Sequence, residues 1–486
     1  MTHMLITMIL AGLLAASAAT TDAAPRGGPE HPHIIILFVD DMGYGDVGCY
    51  NPESKIPTPQ IDGLARTGMR FTNAHAPGPL CHPSRYGLLT GRYPFRTDVS
   101  VWPRQAVIEE GRMTIASLLQ GGGYRTVMVG KWHLGFEERG YDEPLPGGPA
   151  DRGFDEFFGI RASTDIPPYF YIRGDRAVEP PTERIAGNQS PGWSPIQGAF
   201  WRGGGIAPNL TLEDVLPRFT EESIGAITSH GDRLAEQPLF LYVALPAPHT
   251  PWLPSKAFAG RSGAGMYGDF MMMVDHEIGR ILQTLDDAGM ADDALVIFTS
   301  DNGPVWYPGD VERFGHDSAG GLRGMKGDAW EAGHRMPFVV RWPGKVEPGS
   351  VSPQVISFTD LLATFAAVLD VDLPRGAGED SFNVLPVLLG DQPDEKPIRP
   401  PVVVPALTGM LSIRSGPWKL IDGLGSGGFS RPRRIEPESD GPAGQLYQLE
   451  DDPGETKNLW QERPEIRDRL LAELKQIRTS GRTRAE

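Results

Sequence analysis

Runs of apolar residues in this chain stop abruptly at small polar clusters. His33-Ile34-Ile35-Ile36-Leu37-Phe38-Val39, rich in β-branched residues, gives way to Asp40-Asp41. Thr126-Val127-Met128-Val129 leads to Gly130-Lys131-Trp132-His133, Pro238 to Leu245 leads to Pro248-His249, and Ala294 to Ser300 leads to Asp301-Asn302-Gly303. Unbroken apolar runs of this length predict strands buried on both faces, as in a parallel sheet. Helical periods lie between them. Met113 to Gln120 is stopped by Gly121-Gly122-Gly123, and the stretch from Phe270 to Leu285 places Val274, Ile278, Ile281, Leu282 and Leu285 on one stripe. Met271-Met272-Met273 inside that stretch reads as core filling. The alternation predicts a doubly wound α/β sheet.

The tail follows another rhythm. From about residue 396 the strand-like pieces are short: Met410 to Arg414, Trp418 to Ile421 and Gln445 to Leu449, with a glycine-rich loop at Gly423 to Gly428. Ile466, Leu470, Leu474 and Ile477 then fall at helical spacing, with Pro464 placed to open the helix. The expectation is a main domain over 24–395 and a subdomain over 396–486, a small antiparallel sheet plus a helix. At the other end, Leu5 to Ala16 is almost continuously apolar and is followed by Ser17-Ala18-Ala19. That run is too short to span a bilayer and reads as a signal peptide over 1–23, giving a secreted or periplasmic protein with no stable membrane span.

Composition narrows the picture. Forty per cent hydrophobic and 22% charged residues are ordinary for a globular chain. Sixty glycines and 46 prolines imply long loops, which on a rigid scaffold often carry function. A formal net charge of −17 argues against nucleic acid as a partner, since binding it needs a basic face. Only Cys49 and Cys81 are present, so stability comes from a core and not from a disulfide framework. Counting leaves a single Cys49–Cys81 bridge open, but the context of Cys81 argues against it.

Open α/β sheets bind ligands beyond the carboxyl ends of their strands. Asp and Asn also start turns there, so any one such ending is unremarkable. Converged on one sheet edge, the four endings would assemble three carboxylates, an amide, two imidazoles and an ammonium. That is a site for a metal and an oxyanion.

Pro79-Leu80-Cys81-His82-Pro83-Ser84-Arg85-Tyr86-Gly87-Leu88-Leu89-Thr90-Gly91-Arg92 contains Cys-x-Pro-Ser-Arg followed by Leu-Leu-Thr-Gly. It resembles the first signature of the sulfatases, the formylglycine-dependent, calcium-binding, arylsulfatase-like family of the alkaline phosphatase-like superfamily. Gly123-Tyr124-Arg125-Thr126 through Gly130-Lys131-Trp132-His133 is similar to the second signature. With Asp40-Asp41 and Asp301-Asn302 in the family's order, the resemblance spans roughly residues 33 to 345. His82 departs from the small residue usual after the cysteine.

The resemblance implies a large mixed, mostly parallel sheet flanked by helices, and an enzyme that hydrolyses sulfate esters of small molecules or polysaccharides, with sulfated carbohydrates the natural class. It implies that a maturation enzyme oxidises Cys81 to formylglycine. A hydrated aldehyde carries two hydroxyls on one carbon; one attacks sulfur, and the other expels sulfate by collapse to the aldehyde, dividing one hard step into two. Asp40, Asp41, Asp301 and Asn302 match the family's metal ligands, with the side chain at position 81 beside them. An all-oxygen, carboxylate-rich set suits one calcium ion, with magnesium the alternative, and does not suit zinc. Arg85 matches the arginine that steadies the hydrate, and Lys131 and Lys326 the lysines that neutralise sulfate oxygens. His133 matches the base for the second hydroxyl and His249 the acid for the leaving alcohol, roles that imidazole suits near neutral pH. Ser163 aligns with a serine that contacts the site. His316, in Phe314-Gly315-His316-Asp317, is a candidate for lining the substrate pocket.

Three other readings compete. A phosphate mono- or diester hydrolase of the same superfamily would use Ser or Thr and a richer His/Asp set. An inactive sulfated-glycan-binding relative should have lost motif positions, and none is missing. A thiol enzyme would pair an unmodified Cys81 with His133. The choice of sugar and sulfated position falls to loops around 95–110, 160–210 and 305–320.

Overall fold

The computed structural model describes residues 31–103, 105–231 and 237–485. The predicted signal peptide over 1–23 lies outside them. In chain order the strands are β1 His33–Asp40, β2 Met69–His75, β3 Arg125–Lys131, β4 Glu156–Ile160, β5 Ile172–Arg173, β6 Arg176–Ala177, β7 Glu183–Ile185 and β8 Gly204–Ile206. They continue as β9 Leu239–Pro248, β10 Ala294–Ser300, β11 Arg335–Arg341, β12 Ser350–Ser357, β13 Val402–Pro405, β14 Leu411–Ser415, β15 Trp418–Ile421 and β16 Gln445–Gln448.

The four apolar runs of the sequence are the centre of a ten-stranded sheet. Its order is β12-β2-β11-β10-β1-β9-β3-β4-β5-β6, so β10, β1, β9 and β3 are consecutive and all run parallel. Every residue of these four strands is buried, which is why they read as unbroken apolar stretches and not as alternating ones. Towards the edges the sheet turns mixed: β11 is antiparallel to both β10 and β2, while β12 is parallel to β2. Among the described residues five of nine pairings in this sheet are parallel, the mostly parallel architecture expected.

Register decides where the chemistry falls. Val39 pairs with Ser300, Asp40 with Pro248 and Gly130 with Ala244. The four strand ends therefore line up at one edge, and Asp40-Asp41, His249, Asp301-Asn302 and Lys131 leave the sheet side by side. A tight approach fixes one residue of this edge. A Cβ on Gly130, at φ 122°, would lie 2.0 Å from the carbonyl oxygen of Ala244, so glycine is required just before Lys131.

Helices cover the sheet. The one predicted near 113–120 runs Ile115–Gly121, opened by Thr114, whose hydroxyl accepts the Ser117 N–H in a capping box. The long helix is Gly265–Asp287, with the predicted stripe of Val274, Ile278, Ile281, Leu282 and Leu285 buried. Among the described residues no helix is long and apolar enough to cross a membrane, and both cysteines are free.

The C-terminal strands form a separate antiparallel sheet, β13-β14-β15-β16. Helix Pro464–Thr479, with proline in its first turn, packs Leu470, Leu474 and Ile477 against Leu411, Ile413, Leu420 and Leu446. A buried ionic knot ties this sheet to the large one. Lys419 of β15 sits 3.0 Å from both Glu331 and Glu455 and 3.3 Å from His334, whose ring meets His75 of β2 at 3.0 Å.

Candidate active site

Cys81 opens helix Cys81–Thr90, beneath the carboxyl ends of the four central strands. It is 4% exposed. Its thiol donates to Asp40 Oδ1 at 3.4 Å, and Lys326 Nζ donates to its sulfur at 3.3 Å. Burial, and then the charge of Asp40, push the Cys81 thiol far above its ordinary range.

Acidic and basic groups alternate around this sulfur. Lys131 Nζ donates to Asp40 Oδ2. Arg85, one turn along the same helix, forks between carboxylates: its Nη2 reaches Asp301 Oδ2 at 2.8 Å and Asp40 Oδ2 at 3.2 Å, while Nη1 donates to the Lys131 carbonyl at 2.9 Å. Lys326 Nζ also donates to Asp41 Oδ1, which accepts the Asn302 side-chain amide at 2.7 Å. Burial opposes the charge of Asp40, yet Lys131, His249, Arg85 and Lys326 together hold its carboxyl well below the usual range. Asp301 moves the other way: burial and the neighbouring Asp40 push it up, against the pull of Arg85.

Two residues here adopt backbone that only glycine enters freely. Asp41 has φ 65° and His133 φ 59°. Such conformations cost about 1–3 kcal/mol each and persist where the surroundings impose them. Each follows the end of a central strand, where the left-handed turn swings its side chain into the cleft.

The cleft above Cys81 encloses about 210 Å³. Asp41, Cys81, His133, Ser163, His249 and Lys326 line it, together with Asp165, His82, Trp102, Ile196, Arg202 and Phe429. His249 Nδ1 lies 2.6 Å from the Thr250 carbonyl, so this nitrogen carries the proton, and its Nε2 stands 3.6 Å from Asp41 Oδ2. His133 is kept neutral, its pKa depressed by burial and then by Lys131. His82 is lowered to about 4 for the same two reasons. Ser163 Oγ is buried without a hydrogen-bond partner among the described residues.

Ligand atoms of Asp40, Asp41, Cys81 and His249 all lie within 4.8 Å of one another, a possible metal site. Asp301 stands one step behind, with Oδ1 on the Asp41 backbone N–H at 3.2 Å and Oδ2 on Arg85. Asn302 Oδ1 is fully buried and accepts no hydrogen bond among the described residues. A buried amide oxygen left bare beside clustered carboxylates is what an oxygen-seeking cation would satisfy.

His316 does not line the cleft. Its side chain is wholly buried; Nε2 meets Asp46 Oδ1 at 2.8 Å and Nδ1 accepts the Lys55 N–H at 3.3 Å. Asp46 Oδ2 in turn accepts the Gly43 N–H at 2.7 Å, two residues beyond Asp41. His316 therefore braces the loop after β1 from behind. His316→Ala is expected to cost about 1–3 kcal/mol of stability, because it leaves Asp46 Oδ1 buried without its partner while Oδ2 keeps the Gly43 N–H and the Tyr267 hydroxyl. Chemical denaturation measures the loss, while KM of the folded fraction should stay unchanged.

Asp165, Trp102, Ile196, Arg202 and Phe429 are cleft residues that sequence reasoning did not single out. The first four fall in or near loops expected to set specificity, but no spacing or motif distinguishes them there.

Known proteins share both the fold and the sequence. The family model described as Sulfatase matches residues 32–371. N-acetylgalactosamine-6-O-sulfatase of Bacteroides thetaiotaomicron is 35% identical, over 93% of this chain and 94% of its own length. Arylsulfatase A of Homo sapiens is 34% identical, over 92% of this chain and 86% of its own. A solved structure from work on the metabolism of multiple glycosaminoglycans by Bacteroides thetaiotaomicron superposes with a TM-score of 0.80 at 34% identity, covering 92% of this chain and 99% of that one. The chain belongs to the sulfatase family. Its sheet is that of the alkaline phosphatase-like fold, and the protein is a sulfuric ester hydrolase.

Proposed function

We propose that the protein removes sulfate from sulfated carbohydrates, using the hydrated aldehyde of an oxidised Cys81 beside one calcium ion. The observation that carries this reading is the surroundings of Cys81. A buried sulfur at a helix start touches Asp40 and Lys326 at the floor of a small cleft, with three histidines on its walls. The sugar class is supported by the relatives, among them an N-acetylgalactosamine-6-O-sulfatase.

Asp40, Asp41, Asp301 and Asn302 would hold the calcium ion, which when bound supplies positive charge to acidify the attacking hydroxyl and to bind a sulfate oxygen. The formylglycine hydrate supplies the two hydroxyls. The rest falls to the chain's own side chains. Arg85, fixed between Asp40 and Asp301, orients those carboxylates and the start of the Cys81 helix. Lys131 and Lys326 bring ammonium groups to the sulfate oxygens, where charge gathers as the ester bond breaks. His249, with Nδ1 committed to Thr250, has only Nε2 to deliver a proton to the departing alcohol oxygen. His133, held neutral, accepts the proton of the second hydroxyl as sulfate departs. Ser163 offers its unpartnered hydroxyl to the bound ester.

Cys81, Ser84 and Arg85 are all buried in the folded chain, so the maturation enzyme must read this segment before folding closes over it. The apolar run Leu5 to Ala16 reads as an export signal, which places the mature protein outside the cytoplasm. We divide that mature chain into a catalytic part over 24–395 and a C-terminal part over 396–486.

Matured enzyme should be offered 4-nitrophenyl sulfate, 4-nitrophenyl phosphate and a panel of sulfated monosaccharides. Turnover of the sulfate ester far above the phosphate, and desulfation of at least one sugar, is the expected result. Phosphate preferred by orders of magnitude would replace this reading with that of a phosphate-ester hydrolase.

A further inference from the structure

His133 presents a physical problem that its proposed role does not answer. A general base needs its ring plane fixed, and histidines at such sites are usually oriented by a hydrogen bond on the nitrogen that does no chemistry. Here Nδ1 of His133 is buried and has no hydrogen-bond partner among the described residues. The backbone is anchored, with the His133 N–H on the Arg161 carbonyl at 3.1 Å, but this leaves the imidazole free to turn about its side-chain bonds.

What touches the ring is aromatic. Trp102 meets it edge to face, with centroids 4.6 Å apart and planes at 67°. His82 lies 5.7 Å away, tilted by 48°. Trp102 and His82 stack on each other at 5.5 Å with planes within 20°. Edge-to-face and offset-stacked contacts at these distances attract beyond the area they bury, and they depend on angle. Three rings in mutual contact thus form a rigid corner, with His133 on its inner side. The arrangement also gives a purpose to the residue that departs from the family's motif: a small side chain at position 82 would leave the Trp102 face without its stacking partner.

We propose that Trp102 and His82 are positioning residues for His133, their stacked rings setting the imidazole plane in place of a hydrogen bond. The inference rests on the reading of His133 as the base for sulfate release. When the imidazole swings out of line, that step slows, whereas cleavage of the ester bond, which relies on His249 and the lysines, does not. Misplacing a catalytic group by about an ångström can cost roughly 100-fold.

The test compares the wild type with Trp102→Ala, Trp102→Phe, His82→Ser and His133→Ala, each normalised to its measured aldehyde content, on 4-nitrophenyl sulfate. In Trp102→Ala, kcat and KM should fall together by roughly 10- to 100-fold, leaving kcat/KM within a few-fold of wild type. A burst of nitrophenolate should precede the steady state. His82→Ser should show a smaller fall of the same form, and Trp102→Phe should recover most of the rate. The unmodified Cys81 protein supplies a readout free of turnover. Imidazole NMR should give one sharp set of His133 resonances in the wild type and Trp102→Phe, and broadened, shifted ones in Trp102→Ala and His82→Ser. If His133→Ala gives no burst, the reading of His133 as the base fails. If His133→Ala bursts while the folded Trp102 and His82 variants lose kcat/KM without a burst, or keep the wild-type His133 signals, the positioning role is overturned. His82→Ser and Trp102→Phe carry the test should Trp102→Ala not fold.

Discussion

Cys81→Ala, produced alongside the maturation enzyme, is expected to lose about 10⁴-fold or more of kcat/KM on an aryl sulfate, the scale on which covalent enzymes respond to loss of their nucleophile. The fold should tolerate the change. Cys81 is small, and its contacts within the site are a 3.4 Å thiol bond to Asp40 and the Lys326 ammonium. Lys326 retains Asp41, and Asp40 retains Lys131 and Arg85. Cys81→Ser separates two ideas. A serine hydroxyl could accept sulfate but has no second hydroxyl to expel it, so this variant should release no more than about one equivalent of alcohol per site and then stall. Stopped-flow release of nitrophenolate measures both outcomes; sustained turnover by Cys81→Ala would mean that position 81 is not the nucleophile, and sustained turnover by Cys81→Ser that sulfate leaves without a second hydroxyl.

Removal of divalent metal is the second large effect. Exhaustive chelation should abolish turnover and lower the melting temperature, and calcium should restore both, whereas zinc should restore neither, because the proposed donors are carboxylate and amide oxygens. Calcium at about 100 times its Kd would add about 2.7 kcal/mol to the folded state. Asp301→Ala should blunt the calcium-dependent rise in melting temperature. It removes one prospective ligand and also takes the shorter of Arg85's two carboxylate contacts, leaving it the 3.2 Å contact to Asp40 and the Lys131 carbonyl. Full activity in protein shown to be metal-free would contradict the calcium assignment.

How far the sequence could be read depended on which strands carried the information. β1, β3, β9 and β10 are buried from end to end, so each is an apolar run, and each stops where the sheet stops. Fold class and the gathering of Asp40, Asp41, Lys131, His249, Asp301 and Asn302 followed from that. The strands on the β12 side were harder to see. β2 mixes buried and half-buried positions, β11 contains Pro337 and β12 contains Pro353, and both prolines fall where the register shifts. Proline and mixed burial weaken the strand signal.

His316 went astray for a different reason. Its partner Asp46 is 270 residues away, so nothing local distinguishes a buried brace from a residue of the cleft. The same holds for Trp102 and Asp165, which irregular loops bring to the site without any periodicity. His82 stood out as a departure from the motif, but its reason lies in Trp102, a residue twenty positions on and beyond the helix that carries His82.

In the active enzyme, position 81 is expected to carry an aldehyde within reach of a cation held by acidic side chains. The most direct test is intact-peptide mass spectrometry of the segment around Cys81, taken from enzyme shown to turn over a sulfate ester. The expected peptide is one in which the CH2SH side chain has become CHO, in a fraction that scales with specific activity across preparations. A fully active preparation in which every copy of residue 81 is still a thiol would contradict it.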